Sequence, residues 1–105
     1  HWILTEILRD ELKFKGVAVT DWEDIIRLYR NHKVAVDEKD ATYKAIMAWV
    51  DMAMTPYTLK FHDYLVELVK EGRISMERID LSVSRILRLK YETGLFENPY
   101  PRNDR

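Results

Sequence analysis

The chain of 105 residues contains no cysteine, so neither a disulfide framework nor a thiolate metal site is available to it. Only three glycines occur, each isolated, and no Gly-rich phosphate-binding loop can be drawn. The histidines, His1, His32 and His62, show no metal-ligand spacing. No Ser-His-Asp set and no basic aromatic strip for RNA is visible either. Neither charge dominates: 17 Lys and Arg stand against 18 Asp and Glu. That balance excludes a polycationic surface for nucleic acid or anionic lipid. Apolar runs last only a few residues, where membrane insertion needs roughly 20. What remains, 47% hydrophobic and 33% charged, is an ordinary globular composition. The apolar opening His1-Trp2-Ile3-Leu4 carries no signal-type pattern and is expected to continue a longer chain. Residues 98–105, with Pro99 and Pro101, are expected to be an extended polar exit.

Helical periodicity is present in several places. Trp2, Ile3, Ile7, Leu8 and Leu12 repeat at helical spacing, as do Phe61, Tyr64, Leu65, Leu68 and Val69, and then Ile79, Val83, Ile86 and Leu87. Gly16, Gly72 and Gly94 follow these three patterns and are expected as the left-handed residues that end them. Ser75 is expected to cap the third. A further helix is expected over about 39–49, with Ala45, Ile46 and Trp49 on one side. Two short segments, 16–21 and 50–54, are instead β-branched or apolar and bounded by turn residues. Such runs between amphipathic helices read as parallel strands buried on both faces, giving an α/β class. Two parallel strands cannot cover their own faces and edges, so the chain is expected to be a slice of a larger α/β domain.

In parallel α/β architectures the chemistry gathers at the carboxyl ends of strands, here Thr20-Asp21-Trp22 and the stretch from Asp51 to Thr55. A carboxylate beside an indole suits a sugar: the acid can attack an anomeric carbon, and the ring offers a flat apolar face. The competing reading makes Asp21 the N-cap of a helix starting near Trp22, with Asp24 as an alternative cap. Asp51 is expected to be a structural hydrogen-bond acceptor, and Met52 and Met54 interior filling, with Met54 and Thr55 bordering any pocket at the tip. Tyr57, Phe61 and Tyr64 are expected to pack the following helix.

The run Leu8-Arg9-Asp10-Glu11-Leu12-Lys13-Phe14-Lys15-Gly16-Val17-Ala18-Val19-Thr20-Asp21-Trp22 resembles the nucleophile segment of glycoside hydrolase family three. Val50-Asp51-Met52-Ala53-Met54, Val69-Lys70-Glu71-Gly72-Arg73-Ile74, Arg85-Ile86-Leu87-Arg88-Leu89-Lys90 and Gly94-Leu95-Phe96-Glu97-Asn98-Pro99 are similar to its later motifs, in order and spacing. The resemblance covers nearly the whole chain. It implies the last two β/α units and closing helices of a partial (β/α)8 barrel over 1–97, with 98–105 beginning an interdomain linker. It further implies a retaining exo-acting β-glycosidase, most often a β-glucosidase, with Asp21 as nucleophile, no cofactor and no metal. Trp22, and Met54 beside it, would line the sugar site. The acid/base, the other sugar-binding groups, the rest of the barrel and the second domain would lie outside this chain. Export, and inactivity of the isolated piece, are implied in the same way. The alternative from the residues alone is a non-catalytic helix-rich module in which Asp21 is a helix cap. One departure stands out: Trp49 occupies the place where the family usually has glycine, and it is expected to affect packing rather than catalysis.

Overall fold

The structure, a computed structural model, describes residues 2–101. The expectations for His1 and for the exit beyond residue 101 lie outside the described residues. An opening helix, Ile3–Glu11, is followed by β1 (Val19–Trp22), α1 (Asp24–Arg30), α2 (Glu38–Met47), β2 (Met52–Met54), α3 (Lys60–Lys70) and α4 (Met76–Glu92). The opening helix is wound wide: Trp2 O accepts from Ile7 N at 3.2 Å, and Ile7 O from Leu12 N at 2.9 Å, both five residues on. Periodicity gave one helix between the strands, over about 39–49; α1 is the helix that only the cap reading of Asp21 placed, near Trp22, and it begins at Asp24. Ile25, Leu28 and Tyr29 carry its i, i+3, i+4 pattern, which at seven residues is too short to stand out.

β1 and β2 pair in parallel, Val19 with Met52 and Trp22 with Met54. β1 begins later than the sequence suggests and runs through Asp21 and Trp22. The reason is local. Ala18 N donates to the Asp51 carboxylate at 3.0 Å, and Ala18 O accepts from both Asp51 N and Met52 N, so regular pairing starts only beyond them. Burial on both sheet faces is not met within the chain. Ala53 packs on the core of Ile25, Ala35, Ala41, Ala45 and Val50, whereas Val19 and Met52 are half exposed. A second core, Ile46, Leu68 and Ile74, joins α2 to α3 and the turn before α4.

Ser75 caps α4 as expected, its Oγ accepting from Arg78 N at 3.2 Å. Gly72 and Gly94 end α3 and α4 with φ of 69° and 70°. Gly16 does not play that part; Lys13, at φ 54°, takes the left-handed turn instead. What Gly16 provides is room, since a Cβ there would lie 2.5 Å from the Phe14 ring.

A buried ion cluster ties the strands to the helices. The Asp51 side chain is wholly buried. It accepts from Arg9 at 2.6 Å, Ala18 N at 3.0 Å, Ser82 Oγ at 2.7 Å and Arg85 at 2.9 Å, with Arg78 4.0 Å away. Burial pushes its carboxyl up, but the hydrogen bonds from Ala18 N and Ser82 and the Arg85 charge outweigh that and hold it below the ordinary carboxylate value. Burial likewise pulls the Arg9 and Arg78 guanidiniums down. One carboxylate does not neutralise three guanidiniums. Backbone carbonyls and aromatic faces take up the remainder: Arg78 donates to Ile46 O and Val50 O, and Arg9 to Phe14 O and Gly16 O. Arg78 and Arg85 also lie 4.7 and 5.2 Å from the Trp49 ring centroid.

This explains the Trp49 departure. Trp49 has φ 71°, the left-handed region where glycine is at home. Its backbone strain is offset by the two arginines on its ring. Trp49→Ala is therefore expected to destabilise more than Trp49→Gly, by about 1 kcal/mol, because alanine loses the ring and keeps the strain. Thermal unfolding of the natural protein carrying each variant checks this.

Candidate active site

The strand tips meet where Glu23 N donates to Met54 O at 3.0 Å and Met54 N to Thr20 Oγ1 at 3.0 Å. Between Val19 and Trp22 the register is irregular: two residues intervene on β1 and one on β2. Such a bulge re-aims side chains at a strand end. Asp21 and Trp22 both emerge exposed there, and Met54 is 39% exposed beside them.

The helix-cap reading of Asp21 is overturned. α1 starts at Asp24, its N-cap position is Glu23 in a left-handed conformation at φ 57°, and no side chain caps it. Asp24, the alternative cap, is already the first helical residue and pairs with Arg27 at 3.3 Å. Asp21 instead lies in the strand, and its Oδ1 accepts from Trp22 N at 2.6 Å. The contrast with Asp51 is direct: one aspartate is enclosed by arginines, the other is presented to solvent at a strand end.

Trp22 meets Tyr57 edge-on, with ring centroids 5.8 Å apart and planes at 85°. Tyr57, expected to pack the following helix, precedes α3 and is 71% exposed. Phe61 does join both cores. The Trp22–Tyr57 contact was not legible in the sequence, because periodicity says nothing about a loop side chain reaching across to another strand. A cavity of about 190 Å³ lies among α1, α2 and α3, lined by Tyr57 with Glu23, Thr55, Phe61 and Tyr64 among others. Asp21 does not line it. His32 is exposed in the loop after α1, and His62 lies on α3 beside Asp63, both apart from the tips. Among the described residues no group of three His, Cys, Asp or Glu side chains is arranged to hold a metal ion. No helix among them is long and apolar enough to cross a membrane.

An exposed carboxylate and an exposed indole thus stand together at the carboxyl ends of the parallel strands of an α/β chain. Residues 1–89 match the glycosyl hydrolase family 3 N terminal domain, and the chain belongs to that family. It is 52% identical over 98 residues to the lysosomal beta glucosidase of Dictyostelium discoideum, covering 93% of this chain and 12% of that protein. It is 39% identical over 99 residues to the periplasmic beta-glucosidase of Salmonella typhimurium, covering 94% and 12%. Among solved structures, the beta-glucosidase of Listeria innocua in complex with glucose superposes with a TM-score of 0.86 at 35% identity, covering 94% of this chain and 13% of that one. The chain thus spans about an eighth of the length of these relatives.

Proposed function

We propose that this chain is the nucleophile-bearing portion of a retaining, exo-acting β-glycosidase, β-glucosidase-like in its substrate. It would supply the last two β/α units of a (β/α)8 barrel over 1–97, with 98–105 starting the linker to a second domain. Asp21 attacks the anomeric carbon of a terminal β-glycosyl residue. The bond from that carbon to the leaving oxygen breaks, and a carboxylic acid outside this chain protonates that oxygen. The same outside group then takes a proton from water, which displaces Asp21 and restores the β configuration. The Trp22 N–H holds Oδ1 of Asp21, leaving Oδ2 to attack. Trp22 lines the sugar site and Met54 borders it.

One observation carries this reading. In a chain of this family, Asp21 is exposed at a bulged strand end and caps no helix, so its position answers no evident folding need. The names of the relatives support the glycoside class. Proton NMR of the first product released by the natural protein tests it. Early accumulation of the β anomer is expected, and early α anomer contradicts a retaining nucleophile. The 105-residue piece alone is expected to hydrolyse no aryl β-glucoside, since no residue in it supplies the acid/base. Clear hydrolysis of an aryl β-glucoside by the purified piece overturns that division of labour.

A further inference from the structure

On the reading of Asp21 as nucleophile, we infer that Thr20 is a positioning residue for it: the Thr20 hydroxyl ties the bulged end of β1 to β2 and so fixes where the carboxylate stands. Between the paired residues Val19 and Trp22, β1 holds Thr20 and Asp21 where β2 holds only Ala53. A bulge of this kind interrupts the ladder, and a strand end that pairs incompletely can shift against its neighbour. Here the Met54 backbone holds the segment from both sides. Its N–H donates to Thr20 Oγ1 at 3.0 Å, and its carbonyl accepts from Glu23 N at 3.0 Å. Thr20 and Glu23 flank Asp21 and Trp22, so the stretch that carries the carboxylate is pinned to β2 at each end. The carboxylate is in turn tied to that stretch, its Oδ1 accepting from Trp22 N at 2.6 Å. A shift of the backbone therefore moves the attacking oxygen with it. One of the two pins is a side chain, and a hydroxyl can be removed without touching the backbone.

The test uses the natural full-length protein and a dinitrophenyl 2-deoxy-2-fluoro-β-glucoside, whose leaving group departs without help from an acid. The bond from Asp21 to the anomeric carbon forms as the bond to dinitrophenolate breaks, and that oxygen carries away the electron pair. The trapping rate at saturation thus reads the attack of Asp21 alone. Thr20→Val keeps the shape and loses the acceptor. It is expected to lower the saturating rate roughly tenfold or more, the scale on which a small misplacement of a reacting atom acts. The half-saturating concentration should stay unchanged, and thermal unfolding should shift only slightly. Thr20→Ser keeps the hydroxyl and should trap at the natural rate. If Thr20→Val does not fold, Thr20→Ala takes its place with the same expected loss. A folded valine or alanine variant that traps at the natural rate overturns the inference. So does a serine variant as slow as the valine one, because the hydroxyl is then not what holds the strand end. A change confined to the half-saturating concentration overturns it too, since that marks a contact with the sugar. An adduct mapped to a carboxylate other than Asp21 defeats the underlying reading instead, before any Thr20 variant is compared.

Discussion

Replacing Asp21 by glycine in the natural protein that contains this chain is expected to lower kcat on β-glucosides by roughly 10⁴-fold or more, the scale on which removal of a covalent nucleophile acts. Stability should hardly change. Asp21 is exposed and, among the described residues, its side chain bonds only to the backbone N–H of its neighbour, and surface substitutions of that kind fall within about 0.5 kcal/mol. Azide supplies a further check. A small anion can occupy the space left by the carboxylate and attack the anomeric carbon from the same side, so the variant with azide should yield the α-glycosyl azide. A variant that keeps most of its activity, or that is inactive because it unfolds, contradicts the assignment. Steady-state kinetics beside thermal unfolding separates these cases.

The second large effect is the reverse in kind, a loss of folding rather than of chemistry. Asp51→Leu leaves Arg9, Arg78 and Arg85 packed around no counter-charge, and breaking a buried pair in this way costs about 3–5 kcal/mol. Asp51→Asn keeps the size but loses the charge and is expected to be intermediate. The cluster also has a pH signature. The folded-state pKa of Asp51 lies below its unfolded value, so its stabilisation is fully present above about pH 4 and is lost as pH falls through the folded value. The natural protein should therefore lose stability on acidification below about pH 4 more steeply than Asp51→Asn does. Denaturant unfolding at several pH values measures both slopes, and equal slopes would remove Asp51 from the account.

The two aspartates show what could be read from the chain beforehand. The α/β class, the parallel pairing and the helix ends at Gly72 and Gly94 followed from period and turn chemistry. The Ser75 cap did as well. Asp51 as a structural acceptor was legible from its place in the expected strand ahead of the tip, but its three arginines were not. They come from the opening helix and α4, and no local pattern announces contacts 27 to 42 residues apart. The late start of β1 has the same origin, because the Asp51 side chain, just ahead of β2, takes the Ala18 N–H. α1 is too short for periodicity to mark and was placed near Trp22 by the cap reading alone; its start at Asp24, the evidence against Asp21 as a cap, came from the structure. Trp49 was visible as a departure from the family's usual glycine. That it holds a left-handed backbone under two guanidiniums required coordinates.

The most direct measurement treats the natural protein with an activated 2-deoxy-2-fluoro-β-glucoside and maps the adduct by peptide mass spectrometry. The slow-turnover sugar accumulates on whichever carboxylate attacks the anomeric carbon. The account predicts a single label, on Asp21. A folded protein labelled at any other carboxylate contradicts it.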